Sequence, residues 1–281
     1  MSAQKIKAYV DKAYVRIAEG QLHLRKRECG GGGVPLVLSH ASPAASKTLE
    51  PLLHALGEGR SLFAFDNPCN GQSCSPGMET PAMADFADML ARGSAALGLD
   101  KFALYGTHTG SHIMMEWALA QPERVTALIL DGVALMDEAT AAEFLERYAP
   151  HQTPDETGSQ FHWAWNFIRD QMFFYPHYKK DNAHRRPEGV FDARILHDLT
   201  MDVLGSLETY HQPYEAVFRH DVRGALGRLA VPVLVLSHAD GALDEATDEV
   251  VSLIPQVELA RDCATPEAKA AAINAFLEKH S

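Results

Sequence analysis

The sequence predicts an α/β protein, in which helices cover both faces of a mostly parallel sheet. Short, continuously apolar runs alternate along the chain with segments that have the apolar spacing of amphipathic helices. A strand that is covered on both faces is apolar throughout, whereas a strand with one wet face alternates between apolar and polar residues. Alternation of such strands with helices is typical of a parallel sheet between two helical layers.

The strands are predicted in the following order. "AYVRIA" and "QLHLRKREC" form an opening hairpin around Glu19-Gly20, and the glycines at 30–33 form a turn before the next strand. Five buried strands follow, namely "VPLVLSH", "SLFAFD", "KFALYGT", "VTALILDGV" and "VPVLVLSHAD". Amphipathic patterns predict helices at about 44–57, 83–97, 109–121, 244–253 and 266–279. These elements account for the first and last parts of the chain.

The central part of the chain interrupts this alternation. Residues 135–226 contain no buried strand run, and the segment "FHWAWNFIRDQMFFYPHY" at 161–178 is rich in aromatic residues. We therefore predict a core formed by 1–134 and 227–281, and a helical cap formed by 135–226. Because open α/β sheets bind ligands at the carboxyl ends of their strands, the cap would cover the binding site.

Composition and charge restrict the classes of partner. Hydrophobic residues make up 46% and charged residues 22% of the 281 residues, which indicates a globular protein with a sizeable core. A net charge of −12 without a basic cluster argues against nucleic acid and membranes as partners. No run approaches ~18 apolar residues, and the first residues lack the apolar region of a signal peptide. With four scattered cysteines, these features predict a cytoplasmic protein without disulfides.

The segment "YGTHTGS" at 105–111 lies between a predicted strand and a predicted helix. A residue at the centre of such a strand–turn–helix sits on a sharp, strained turn, and the residues two positions away on either side must be small. Gly106 and Gly110 satisfy that requirement. The turn would present the side chain of His108 to a pocket.

Four segments occur in an order that is known from other proteins: "LSHASPAAS", "FAFDNPCNGQSCSP", "LYGTHTGS" and "VPVLVLSHADGALDE". On these motifs the chain resembles the capped branch of the α/β-hydrolase superfamily, over most of its length and most weakly in the cap. The resemblance implies a three-layer α/β-hydrolase fold with an eight-stranded sheet and a helical cap insertion. It also implies a hydrolase that acts on a small molecule without a cofactor.

The chain departs from the superfamily at two catalytic positions. His108 stands where the superfamily has a serine, cysteine or aspartate nucleophile. The catalytic histidine normally follows the last strand, and here that region, "VELARDCATPEAKAAAINAFL", contains no histidine. The acid is represented twice, by Asp240 at the common position and by Asp131 at the alternative one. The resemblance further implies that the backbone N–H groups of Thr109 and Ser42 form an oxyanion hole.

An imidazole at the turn supports several mechanisms. Oriented by Asp131 or Asp240, His108 could act as a general base or acid near neutral pH, because its ordinary pKa is ~6.5. It could also be a nucleophile that forms an acyl-imidazole, or the base for a water that attacks directly. We predict an enzyme acting on a small apolar or aromatic carbonyl compound, with hydrolase as its class. Lyase or decarboxylase chemistry, and a binding protein that has lost its triad, are the alternatives.

Further residues are candidates for substrate binding, each with a structural alternative. The candidates are His40, His162, Trp163, Trp165 and Arg169. The histidine at 40 could instead order its loop, the tryptophans could form the cap core, and Arg169 could pair with Asp170 or Glu146. His108 and His112 have the spacing of two metal ligands on a helix, but the first lies in the turn, so we predict no metal. A homodimer is common for this architecture and is a candidate assembly.

Overall fold

One sheet of eight strands organises the structure, a computed structural model that describes residues 9–30, 32–186, 192–238 and 246–280. The strands are β1 (Asp11–Arg16), β2 (Gln21–Arg27), β3 (Gly33–Ser39), β4 (Arg60–Phe65), β5 (Phe102–Thr107), β6 (Val125–Asp131), β7 (Val233–Leu236) and β8 (Val257–Ala260). They lie in the order β1-β2-β4-β3-β5-β6-β7-β8. β2 is antiparallel to β1 and β4, and the other pairs are parallel. The predicted fold class, an α/β-hydrolase fold with a mostly parallel sheet, is therefore confirmed.

The two edges of the sheet show where the apolar pattern succeeds and fails. The opening hairpin is present, with Arg16 opposite Gln21 next to the turn, although β1 begins two residues before the predicted run. β8 at the other edge is not predicted by an apolar run. It is four residues long and each residue is half-buried, because an edge strand has a neighbour on one side only.

Helices cover both faces of this sheet. They are α1 (Glu50–Ala55), α2 (Met83–Ala96), α3 (Thr109–Ala120), α4 (Glu138–Arg147), α5 (Ser159–Phe173), α6 (Ala193–Gly205), α7 (His211–Arg219), α8 (Val222–Gly227), α9 (Thr247–Leu253) and α10 (Pro266–Lys279). The helix predicted at 44–57 is divided into a 3-10 turn at Ser46–Leu49 and α1. Pro51 lies in the first turn of α1, where its missing N–H is not needed. No helix of the described residues is long and apolar enough to cross a membrane.

Two hydrophobic clusters pack on opposite faces of the sheet. Alternate residues of a strand point to opposite faces, and accordingly Leu36 and Leu38 of β3 belong to one cluster while Val37 belongs to the other. The smaller cluster lies between the sheet, α1 and α10. The larger cluster combines α2 and α3 with buried residues of α4, α5, α6 and α7, so the helices between β6 and β7 share one core with the sheet.

The helices between β6 and β7 lie against the loops that follow the strands. The Tyr214 hydroxyl on α7 donates to the Ser42 carbonyl oxygen at 2.9 Å. The Lys47 ammonium pairs with Asp198 on α6 at 2.8 Å. These contacts place the helical segment over the carboxyl edge of the sheet. The limits of a separate cap domain at 135–226 stay a prediction.

Candidate active site

β5 and α3 are joined by a sharp turn at His108. Its φ of 49° and ψ of −113° lie in a region that residues with a Cβ rarely adopt. The space allows only glycine on either side: a Cβ on Gly106 would lie 2.3 Å from the Gly110 carbonyl oxygen, and one on Gly110 would lie 2.4 Å from the Ser39 carbonyl oxygen. The N–H of His108 donates to the Asp131 carbonyl oxygen at 3.1 Å. This turn holds the imidazole at the carboxyl edge of the sheet.

Two cavities meet at His108, with volumes of about 540 and 210 Å³. The apolar lining of the larger cavity is mostly aliphatic and includes Leu49, Leu52, Ile168, Met172 and Leu199. That of the smaller cavity is mostly aromatic and includes Phe144, Tyr148, Tyr175, Tyr214 and Phe218. Both cavities are lined by Ala41, Ser42, His108, Gln171 and Arg186. A ligand that contacts the imidazole can therefore extend one group into each cavity.

The environment of His108 favours its neutral form. His108 is exposed where it lines the two cavities, among surrounding protein that includes Ala41, Ser42, Gln171 and Arg186. Desolvation by this surrounding protein lowers the pKa of His108 below its ordinary value. The Asp131 carboxylate opposes that shift, whereas the positive charges of Lys269 and Arg186 add to it. The imidazole is accordingly able to accept a proton at neutral pH.

Asp131 ends β6, and its buried carboxylate is shared by two donors. The Tyr105 hydroxyl donates to Asp131 Oδ2 at 2.5 Å, and the Lys269 ammonium on α10 donates to the same oxygen at 2.5 Å. Burial and the Asp131 charge raise the pKa of Tyr105 well above its ordinary value, so the phenol keeps its proton and remains a donor. The His108 ring forms no hydrogen bond with any residue that the structure describes.

Ser42 and Thr109, which we predict to form the oxyanion hole, lie together beside the imidazole. The Ser42 N–H donates to the Thr109 Oγ1 at 3.3 Å, and both residues line the smaller cavity. Thr109 is the first residue of α3, where main-chain N–H groups have no partner within the helix. The two main-chain amides thus belong to residues at the point where the cavities meet, and the Ser42 amide is hydrogen-bonded to Thr109 Oγ1.

Comparison with known proteins assigns the family. A model of the alpha/beta hydrolase fold matches residues 34–264. The chain belongs to the alpha/beta hydrolase family.

The curated relatives include a hydrolase and an iminopeptidase. This alpha/beta hydrolase is 33% identical over 149 residues to 2-hydroxy-6-oxononadienedioate/2-hydroxy-6-oxononatrienedioate hydrolase 1 of Dechloromonas aromatica, covering 47% of each chain. It is 26% identical over 125 residues to a proline iminopeptidase of Heyndrickxia coagulans, covering 44% of this chain and 43% of that protein. Each of these two matches spans less than half of the relative.

Solved structures resemble this alpha/beta hydrolase over nearly its whole length. A thermophilic esterase from Thermogutta terrifontis superposes with a TM-score of 0.69 at 20% identity, covering 96% of this chain and 100% of the esterase. Epoxide Hydrolase A from Mycobacterium thermoresistibile gives a TM-score of 0.72 at 18% identity, covering 97% and 99%. At these identities the likeness establishes the fold alone.

The two acids predicted to orient His108 have different outcomes. Asp240 lies outside the described residues. Asp131 lies beside the turn and acts electrostatically on the imidazole, but its carboxylate binds Tyr105 and Lys269 instead of the His108 ring. Among the described residues, the predicted ring–carboxylate hydrogen bond is therefore replaced by an aspartate–lysine ion pair.

The five residues predicted to bind substrate line neither cavity of this alpha/beta hydrolase. His40 is fully buried; Asn67 N–H donates to its Nε2 at 2.8 Å, and its Nδ1 lies 2.9 Å from the Ala41 carbonyl oxygen, so both nitrogens order the loop. Arg169 pairs with Asp170 at 2.7 Å, as its structural alternative expected. The polar groups of these two residues are engaged within the protein, and their contact with substrate stays a prediction.

The aromatic candidates on α5 do not belong to the lining of the two cavities. His162 and Trp165 are exposed, and Trp163 stacks on Phe167 with ring centroids 5.0 Å apart. Substrate contact by these three residues stays a prediction. The residues of α5 in the cavities are Ile168, Gln171 and Met172.

His112 is the second residue of the pair that has metal-ligand spacing. Its ring has a hydrogen-bond partner that lines neither cavity. Its Nδ1 lies 2.9 Å from His220 Nδ1, and His220 Nε2 lies 2.8 Å from Glu116 Oε1. Within the described ranges, no group of three or more His, Cys, Asp or Glu side chains is placed to hold a metal ion. The imidazole at 112 is thus part of a buried hydrogen-bonded chain.

Three polar residues of the cavities were not predicted from the sequence: Lys269, Gln171 and Arg186. Lys269 lies in the first half of the last helix, where nothing in the local pattern separates it from a surface lysine. Arg186 and Gln171 belong to the helical segment, in which motif resemblance is weakest. Only the spacing of Lys269 behind the position of the absent histidine could have indicated it.

Proposed function

We propose that this alpha/beta hydrolase cleaves a small ester, lactone or ketone by adding water, through a non-serine mechanism centred on His108. The observation that carries this proposal is an imidazole on a strained turn that lines both cavities, and desolvation lowers its pKa. The hydroxyl of Ser111, on the same turn, donates to the Gly106 carbonyl oxygen at 2.8 Å and is buried. It is therefore not in position to serve as a nucleophile in place of the missing serine.

His108 acts as a general base in this proposal. A depressed pKa leaves the ring lone pair free at neutral pH, so the imidazole can take a proton from a water molecule beside the substrate carbonyl. The resulting hydroxide attacks the carbonyl carbon. Positioned proton transfer of this kind contributes ~10²–10⁴-fold to a rate.

Ser42 and Thr109 supply the anion-binding amides. As the carbonyl carbon becomes tetrahedral its oxygen gains negative charge, and main-chain N–H groups fixed in advance stabilise that charge at little reorganisation cost. The Thr109 hydroxyl, which now accepts from the Ser42 N–H, turns aside when an anionic oxygen takes its place. Loss of one such donor typically costs ~10²-fold or more in kcat.

The cavities indicate the substrate class. A carbonyl group at His108 would carry one aliphatic or extended group in the 540 Å³ cavity and one compact, flat group against the aromatic residues of the 210 Å³ cavity. The Dechloromonas relative is named for oxo-dioate substrates, which also carry a carbonyl group between two arms. The relative's name supports a carbonyl substrate, and the cavity linings support the two apolar arms.

The test is a panel of esters, lactones, β-keto acids and β-diketones, assayed with the native protein and with His108→Ala. We expect turnover of at least one class, a loss of ~10²-fold or more in the variant, and one ¹⁸O atom from labelled water in the acid product. His108→Ala that turns over the same substrate at the native rate would contradict the proposal.

The route through an acyl-imidazole is distinguished by mass spectrometry. Rapid quenching of a reaction with an activated ester would show a mass increase of one acyl group on the peptide that contains His108 if the imidazole were the nucleophile. Direct attack of water leaves that peptide unmodified. Either result retains His108 at the centre of the reaction.

A second candidate is lyase chemistry, which the positive charges of Lys269 and Arg186 beside His108 favour. They would stabilise an enolate formed by proton abstraction or decarboxylation. Such a reaction incorporates deuterium from D₂O into a carbon position of the product and no oxygen from labelled water. If no compound is turned over but ligands raise the melting temperature, the fold serves as a binding protein.

A further inference from the structure

We infer that Lys269 is the proton donor of this site and replaces the absent histidine with an aspartate–lysine pair; the inference rests on the function proposed above. His108 withdraws a proton from water, and the Lys269 ammonium delivers one to the leaving group. The two tasks that one histidine performs in sequence would here be divided between two side chains.

The position of Lys269 supports this role. α10 follows β8 directly, so Lys269 approaches the carboxyl edge from the part of the fold where the missing histidine would lie. Its side chain is 20% exposed, and it lines the larger cavity together with His108 and Asp131. The ammonium thus faces both the buried acid and the space that the substrate would fill.

The partners of Asp131 explain why the ammonium is held there. Asp131 Oδ2 accepts from Lys269 and from Tyr105, both at 2.5 Å. Because Tyr105 keeps its proton, the phenol fixes the carboxylate without neutralising it. A buried carboxylate requires a positive partner, and the Lys269 ammonium is the one the structure provides. Asp131 therefore positions Lys269 as it would position a histidine.

Other groups beside the cavity are less suited to proton donation. Arg186 lines both cavities, but a guanidinium does not release its proton in proteins. His112 is buried and its Nδ1 is taken by His220. An ammonium can give up a proton and recover it, so Lys269 is the cation that can act as a general acid.

The reaction balances without an added reagent. Water gives H⁺ to His108 and OH⁻ to the carbonyl carbon; the bond to the leaving group breaks, and its electron pair takes H⁺ from the Lys269 ammonium. The products are the carboxylic acid and the protonated leaving group. The Lys269 amine then recovers a proton from the His108 imidazolium, directly or through water, which restores both side chains.

Leaving groups of different basicity test the proposal. Lys269→Met should lower kcat by ~10²-fold or more for alkyl esters, whose alkoxide must be protonated, and by less than ~10-fold for p-nitrophenyl esters. Lys269→Arg should show the same contrast, because it keeps the charge but not the transferable proton. An equal loss for both ester classes, or full activity of Lys269→Arg on alkyl esters, would overturn the proposal.

Two control variants distinguish the loss of proton donation from a loss of stability. Lys279→Met removes a lysine of the same helix that pairs with Glu258 at the surface, and it should leave both ester classes unchanged. Lys269→Met leaves a buried carboxylate without its cation, so Asp131→Asn/Lys269→Met, which removes both charges, should recover the melting temperature without recovering alkyl-ester turnover. Recovery of turnover in this double variant would reduce Lys269 to a structural role and overturn the proposal.

The pH profile gives a readout that is independent of leaving group. The charge of Lys269 contributes to the lowered pKa of His108, so Lys269→Met should move the acidic limb of kcat/KM for p-nitrophenyl esters to higher pH. An unmoved limb would contradict the proximity on which the inference depends. If His108→Ala retains native activity, the proposed function fails first; if it is inactive while Lys269→Met is not selective, the assignment of Lys269 alone fails.

Discussion

His108 occupies a backbone conformation that the two glycines around it make possible. The strained central residue and the contact of Gly106 with the Gly110 main chain lie within the turn, whereas Gly110 faces the Ser39 carbonyl of β3. The sequence predicts the turn and the presentation of the imidazole because the spacing of the two glycines is local, although the contact that constrains Gly110 is not. The same reasoning predicts which replacements the turn will not accept.

Gly106→Ala and Gly110→Ala should each lower the free energy of unfolding by ~3 kcal/mol. The new methyl group would meet the Gly110 or Ser39 carbonyl region at 2.3 or 2.4 Å, and main-chain atoms cannot move aside as a flexible side chain can. Urea unfolding measures the change, with Gly205→Ala as the control because its added Cβ meets nothing within 4 Å. Equal stabilities of the variants at 106 and 205 would show that the turn is not as tight as described.

Catalysis through neutral His108 should have an acidic limb below pH ~6.5, the ordinary histidine value. Desolvation lowers the pKa of His108, so the base form persists to lower pH than in a free imidazole. Asp131→Asn removes a negative charge that opposes this shift, and should move the acidic limb of kcat/KM to lower pH. A pH–rate series on both proteins is the measurement, and a limb that moves up would reverse the assigned effect of Asp131.

The contact between Lys269 and Asp131 could not be predicted from the local sequence. Lys269 lies 138 residues from Asp131, and only the packing of α10 against the sheet brings the two together. The sequence identifies the absent histidine but not the group that takes its place, because that depends on which side chain of a helix faces a distant strand.

Among the elements, α5 shows that a helix can be predicted from sequence while the residues it turns toward the site cannot. Its aromatic residues predict a helix, and the helix is present at Ser159–Phe173. The cavity is lined by Ile168, Gln171 and Met172, while Trp165, one turn earlier, is exposed. Residues three or four positions apart share a face, but tertiary packing decides which turns of that face reach the cavity. Element existence was therefore predictable, whereas the lining of the site was not.

α3 contributes a pH-dependent term to stability through His112. Burial, followed by the charges of His220 and His108, lowers the pKa of His112 well below its ordinary value. The unfolded chain binds a proton near pH 6.5 that the folded chain refuses, so stability is lost as pH falls below that value. One such proton changes the unfolding free energy by up to ~1.4 kcal/mol per pH unit.

His112→Asn should therefore flatten the dependence of unfolding free energy on pH between 7 and 5. At pH 7 the free energy of unfolding of the variant should be ~1–3 kcal/mol lower than that of the native protein, because His220 no longer has its buried partner. On acidification the free energy of unfolding should fall less in the variant than in the native protein. Urea titrations at pH 7, 6 and 5 supply both numbers. His54→Asn, at an exposed position on α1, is a control that should follow the native slope. Parallel slopes for the native protein and His112→Asn would refute the assignment.

For the whole molecule, the larger hydrophobic cluster predicts a single cooperative transition. It contains buried residues of β5, α3 and the helices between β6 and β7, so neither part retains its own core when the other unfolds. The sequence predicts that 135–226 is a cap inserted between two parts of the core. An insertion of this kind need not unfold independently of the core.

The three tryptophans allow this to be measured. Trp117 is buried on α3, and Trp163 packs against the core on α5. We expect the fluorescence and far-ultraviolet circular dichroism midpoints to coincide in Trp163→Phe/Trp165→Phe, which reports α3, and in Trp117→Phe/Trp165→Phe, which reports α5. A fluorescence transition of Trp163 that precedes the dichroism change would indicate a helical segment that opens on its own.

The hydrogen bond from the Ser42 N–H to the Thr109 hydroxyl bears on the choice of inhibitors. That amide already holds an uncharged oxygen at 3.3 Å, so a neutral ketone gains little by displacing it. A boronate or phosphonate brings a charged oxygen, which forms a stronger bond to the same amide. Affinity screens should therefore rank anionic mimics above neutral ones of equal shape, and Thr109→Val, which leaves the amide without a resident partner, should raise the affinity of both kinds.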